Sequence, residues 1–131
     1  MSTAAERVGL LERVSYFGAK SFDHSDEVRT FEKGKMEVVH LGEITLGRLT
    51  FQPGWKWSES VKSIAGTDLC EEAHIGCCIS GRLKIVQSDG REIVFRAGDA
   101  MSVPSGHDAW VVGDEPVVLV DWYGASNYAK Q

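Results

Sequence analysis

AHIGCCIS (residues 73–80), RLKIVQS (82–88), REIVF (91–95), AMSVP (100–104), HDAWVV (107–112) and PVVLVDWY (116–123) follow one another with little but turn residues between them. Each run is short, rich in β-branched residues and partly alternating, which is the pattern of a strand with one buried face. The separators are Ser80-Gly81, Asp89-Gly90, Ala97-Gly98-Asp99 and Gly113-Asp114-Glu115. Asp-Gly between alternating runs is a strong hairpin signal, because both residues tolerate positive φ. Short strands at this spacing predict an all-β sandwich or small barrel.

Working outward, MEVVH (36–40) and EITLGRLTF (43–51) add two strands, parted by Leu41-Gly42. WKWSESVKSIAGTD (55–68) is too broken by polar and small residues for a long strand. Residues 3–14 fit a short N-terminal helix, with Val8, Leu11 and Val14 near one stripe, and YFGAKSFDHSDEVRTFEKG (16–34) reads as irregular. The expected organisation is an N-terminal arm over residues 1–35, wrapping the outside, and one barrel domain over 36–131.

The whole chain has 131 residues, fourteen glycines and three prolines. That length allows one real core and not two. The net charge of −5 and the scattered Lys and Arg argue against nucleic acid as a partner. No run approaches the ~20 apolar residues of a membrane span. The N-terminus mixes acid and base without an apolar stretch, so no secretory signal is expected. Cys70, Cys77 and Cys78 are odd in number, and two are adjacent, which suits a reducing cytoplasm better than a disulfide framework.

Alternation then sorts the chemistry. In 73–80, His74, Gly76, Cys78 and Ser80 share one face; an extended chain reaching back would add Cys70 and Glu72. In 107–112, His107, Ala109 and Val111 share a face. A barrel receiving Cys70, His74 and His107 would hold a thiol and two imidazoles, good ligands for zinc, iron, nickel, manganese or copper. The plainer alternative is a pair of hydrogen-bonded histidines at the barrel mouth, with Cys70 a small hydrophobe. His24 reads as solvated and His40 as structural. Trp55 and Trp57 border the mouth as candidate ligand-binding residues, although indoles more often fill cores. Glu72 is a third candidate, the one acid near the histidines on their face. PVVLVDWY is apolar on both faces, which predicts cover on both sides.

Gly98–Gly106 (GDAMSVPSG), a glycine followed by five residues and Pro-x-Gly, resembles the start of the second cupin motif. GCCISGRLKI resembles the end of the first, with Gly81 as its turn glycine. PGWKWSE (53–59), IAGTD (64–68) and GHDAWVVGDEP (106–116) are similar to segments of small single-domain cupins. The resemblance covers roughly residues 43–123. It implies a double-stranded β-helix, a jelly-roll barrel, which in this superfamily commonly dimerises. It says little of activity, since cupins include oxygenases, isomerases, decarboxylases and sensors.

The usual ligands are displaced. Counting back from Gly81 puts the motif's Glu at His74 and its two histidines at Asp68 and Cys70; the second motif's histidine falls at Ala109. His107 lies two residues earlier on the same face, about 6.6 Å along the strand. A remodelled site of His74, His107 and Cys70 in a small-molecule-binding homodimer is the leading expectation. The alternatives are a metal-free binding or sensor barrel, and a metal-independent acid–base enzyme needing an acid beside a histidine.

Overall fold

The computed structural model describes residues 13–123 and 128–130. The short helix expected over 3–14 lies, but for its last two residues, outside them. Nine strands appear in chain order: β1 (Glu27–Phe31), β2 (Gly34–Leu41), β3 (Ile44–Phe51), β4 (His74–Ser80), β5 (Arg82–Gln87), β6 (Glu92–Arg96), β7 (Ala100–Val103), β8 (His107–Val111) and β9 (Val117–Tyr123). Between β3 and β4 lie two single-turn helices, α1 (Trp57–Ser60) and α2 (Lys62–Ala65). The larger sheet runs β1-β2-β3-β9-β4-β7 and the smaller β6-β5-β8, every pair antiparallel. This is the expected jelly-roll arrangement.

One expectation needs correction. Glu27–Phe31, read as irregular, is a strand paired with β2 from Glu27↔Val38 to Phe31↔Gly34. Its alternation is hidden because Arg29 faces inward beside Phe31 while the apolar Val28 is exposed. Arg29 is buried, with Nε and Nη2 donating to Glu27 and Nη1 donating to the Tyr128 carbonyl at 2.8 Å. A buried guanidinium is tolerable when such acceptors surround it.

The core lies between the sheets. Met36, Val38, Leu49, Phe51, Val117 and Leu119 from the larger sheet meet Leu83, Ile85, Phe95 and Val111 from the smaller. Each such side chain contributes about 1.5–3 kcal/mol on burial. Trp55 stacks on Phe51 at 3.8 Å between ring centroids, and Trp57 is equally buried. The other two indoles are on the surface. Trp110 carries the ammonium groups of Lys56 and Lys84 at 5.1 and 5.5 Å, and Trp122 is 37% exposed.

Two glycines make the barrel close. At Gly81 the chain turns from one sheet to the other with φ of +78°, where a side chain would strike the Pro116 carbonyl. At Gly76 the pairing of β4 with β9 slips by a residue, and β9 approaches so closely that a Cβ would overlap the Val120 carbonyl. The slip is a bulge, which re-aims the side chains around it. Gly76→Ala is therefore expected to destabilise the fold by about 3 kcal/mol, the upper end for overpacking, lowering Tm by roughly 10 °C. A melting curve within about 2 °C of wild type would contradict this close approach.

Candidate functional site

Cys70, His74 and His107 converge. Cys70 precedes β4 and is stitched to the first residue of β8: its N–H donates to the His107 carbonyl at 2.8 Å, and its carbonyl accepts from Gly106 and His107. His74 opens β4 and faces inward, as alternation predicts. One donor atom from each of the three lies within 4.8 Å of the others, with Cys70 Sγ 3.8 Å from His74 Nε2. The imidazole rings meet edge-on at 5.4 Å.

Both rings are oriented from behind. The His107 Nδ1–H donates to the Pro104 carbonyl at 2.8 Å; a carbonyl can only accept, so Nε2 keeps the lone pair. His74 Nδ1 is 2.6 Å from Asp121 Oδ2 on β9, a carboxylate that is itself buried. Burial pushes the His74 imidazole down, but the hydrogen bonds with Asp121 and then Cys70 outweigh it and raise its pKa to about 9. Burial likewise pushes the Cys70 thiol up, yet its hydrogen bonds with His107 and His74 bring it down to about 7. Thiol, imidazole and carboxylate thus form one chain of contacts.

Whereas Cys70 lines a neighbouring cavity, His74 and His107 line one that encloses about 40 Å³ in which a water-sized sphere can be centred. Its walls are almost wholly apolar, with Phe51, Trp55, Trp57, Leu83, Met101 and Ala109 among them. Trp55 and Trp57 are held there by β8: Val111 N–H donates to the Trp55 carbonyl, and Asp108 accepts from Ser58 N–H and Oγ–H. Glu72 is elsewhere. It lines the second, more polar cavity with Cys70, Glu71 and Lys130, and Trp57 and Tyr128 line both cavities. Of the positions counted from the cupin motifs, Cys70 and His74 reach the cluster and Ala109 is a wall. Asp68 points to solvent, 3.4 Å from Lys62.

Sequence reasoning missed two residues. Asp121 is the acid beside His74 that Glu72 was expected to be. It stands as the single charge in PVVLVDWY, and a lone carboxylate on the inward face of a buried strand is a signal that could have found it. Tyr128, with its ring 5.6 Å from His74 and its phenol pushed well up by burial, left no sequence signal.

No family model matches this chain, and no curated protein does. Solved structures do. Oxalate decarboxylase from Lactobacillus farciminis, as its formate complex, is 21% identical with a TM-score of 0.55 over 78% of this chain and 32% of that one. A Bacillus subtilis oxalate decarboxylase variant is 25% identical, with a TM-score of 0.52 over 79% and 29%. An uncharacterised Klebsiella pneumoniae protein with a double-stranded β-helix domain is 18% identical, with a TM-score of 0.54 over 98% and 93%. The chain spans about a third of the length of the decarboxylases it matches. These likenesses establish the double-stranded β-helix fold. Among the described residues, no helix is long and apolar enough to cross a membrane.

The site geometry sets a titration. In metal-free protein, ultraviolet thiolate absorbance should rise through about pH 7, and this step should be missing from Cys70→Ala. A first thiolate step near the ordinary cysteine value of ~8.5 would contradict the contacts described.

Proposed function

We propose that this chain is a small-molecule-binding cupin whose barrel holds one divalent transition metal on Cys70, His74 and His107. The observation that carries the reading is the convergence of three donors on two imidazoles already oriented through Nδ1. Metal-bound histidines characteristically donate their other nitrogen to a carboxylate or carbonyl, as Asp121 and Pro104 receive here. The donor set fits a metal. Tetrahedral zinc would place ligand atoms about 3.3–3.6 Å apart; Cys70 Sγ and His74 Nε2 stand at 3.8 Å, and all three donors lie within 4.8 Å of one another.

One thiolate and two imidazoles favour zinc, copper, nickel or iron over manganese, because these nitrogen and sulfur donors bind the later, softer ions better. Such an ion supplies Lewis acidity or oxygen activation. The chain's own residues do the rest: Asp121 holds the His74 ring, Pro104 fixes the His107 tautomer, and the apolar walls keep bulk water away. Purified protein supplemented with metal should carry one ion per chain, and His74→Ala should carry none. Asp121→Asn should keep the fold but lose about 10–100-fold in metal affinity. Wild type without stoichiometric metal after supplementation would overturn the reading.

The metal-independent acid–base alternative draws support from the same Cys70–His74–Asp121 contacts, and that metal analysis separates the two. Three free cysteines support a cytoplasmic setting. The homodimer rests on the outer face of the larger sheet, where Ile75, Ile79 and Trp122 are exposed beside β9. Sedimentation should give a dimer mass for wild type and a monomer for Ile79→Lys; a wild-type monomer would remove the partner.

A further inference from the structure

We infer that the polar cavity lined by Cys70, Glu71 and Glu72 binds a small organic amine in its protonated form. The ammonium faces the two carboxylates, and a hydroxyl or carbonyl oxygen of the same molecule accepts the phenol O–H of Tyr128. The inference deepens the small-molecule reading above and rests on it. It needs no metal on the cluster.

Two features meet in this cavity, and neither depends on the other. The first is a buried hydroxyl. Tyr128 is 5% exposed, and its ring lines both the barrel cavity and the polar one. The ring is fixed edge-on against Phe31 at 6.2 Å and His74 at 5.6 Å, and Arg29 holds the Tyr128 carbonyl. Among the described residues the hydroxyl has no hydrogen-bond partner, yet it is not closed off from solvent-sized molecules as the Trp55 indole nitrogen is. Buried donors are nearly always satisfied, so an open O–H on a fixed ring marks where an acceptor binds. Burial, then the charges of Cys70 and Asp121, push the phenol well above its ordinary value, so it is a donor. Cys70 acts on it more strongly than Asp121, which puts the hydroxyl toward the cavity that Cys70 lines.

The second feature is charge. Glu71 and Glu72 line the cavity, and among the described residues neither side chain makes an ion pair or a hydrogen bond. Lys130 is the one cation among the described lining residues; it is exposed and also lies in the field of Glu27. Beyond Cys70, the His74 imidazole is matched by Asp121 at 2.6 Å. The balance is negative, and a thiolate at Cys70 adds to it. A divalent ion on the cluster would meet the Cys70 thiolate and the Asp121 carboxylate, and would leave that balance as it is. An anion is therefore disfavoured, whereas an ammonium meets two carboxylates. Val61 and Ile64 give its carbon chain an apolar wall. Size agrees. The polar cavity encloses about 190 Å³ against 40 Å³ in the barrel. A water needs about 10–15 Å³ of such volume, so the polar cavity admits about a dozen heavy atoms.

Linear aminobutanol, pentylamine, pentanol and hydroxybutanoate test this, because they are nearly equal in length and differ from the first at one end only. Each is titrated into ¹⁵N-labelled protein, metal-free and zinc-supplemented, while the amide resonances of Glu72 and Ala129 are followed. Aminobutanol should shift them saturably in both forms. Pentylamine should bind about fivefold more weakly, and pentanol and hydroxybutanoate at least about tenfold more weakly. Tyr128→Phe should weaken aminobutanol about fivefold and leave pentylamine unchanged, a split that a merely structural role would not give. Glu71→Gln combined with Glu72→Gln should weaken both amines about tenfold. No saturable shift with aminobutanol, or pentanol or hydroxybutanoate binding as tightly, would overturn the inference even if Tyr128→Phe fails to fold. Equal weakening of both amines by Tyr128→Phe would overturn it too. Absence of stoichiometric zinc together with the aminobutanol shift would overturn the metal reading and leave this one standing; stoichiometric zinc without the shift would do the reverse.

Discussion

The close approach of β9 to β4 at Gly76 is the constraint on which the site depends. With no side chain at Gly76, the Val120 carbonyl can sit against β4 and the ladder can slip by one residue. The slip leaves Gly76 opposite Asp121, bringing that carboxylate to 2.6 Å from His74 Nδ1. The hydrogen bond turns His74 Nε2 toward Cys70, which the backbone has already stitched to His107. A local backbone irregularity thus becomes a three-donor cluster, the role bulges often play beside functional sites.

The two histidines are held by different groups, and the difference has chemical content. Asp121 is a charged acceptor, whereas the Pro104 carbonyl is neutral. A carboxylate behind an imidazole makes the ring more basic than a carbonyl does. His74, backed by the carboxylate, is therefore made the more basic by its partner. The cavity beside them repeats this economy of charge: apart from His74, His107 and Asp121, its walls are mostly hydrocarbon and aromatic.

Most of the barrel was legible because its strands alternate and its turns carry glycine. The inward faces of β4 and β8, read from a period of two, placed His74 and His107 together, and the reach-back of an extended chain added Cys70. β1 was not legible, because its most buried residue is Arg29, whose burial depends on acceptors as distant in sequence as the Tyr128 carbonyl. Glu72 was expected near the histidines, but alternation does not hold through the irregular stretch before β4. Asp121 escaped because an apolar run was read for its hydrophobicity rather than for its one exception. The distance from His74 to Asp121 in sequence is 47 residues, and no local pattern spans it.

β9 is the last strand among the described residues but lies in the middle of the larger sheet, joining β3 to β4. During synthesis, β1-β2-β3 and the later strands are two separate pieces until it arrives. Non-local pairings of this kind are slow to form. In the meantime β3 and β4 present bare edges, which are templates for pairing with other chains. Cys70, His74 and His107 all precede in sequence the carboxylate that holds the His74 ring. Timing, as much as geometry, is thus built into this strand order: His74 gains its carboxylate partner only when β9 closes the sheet.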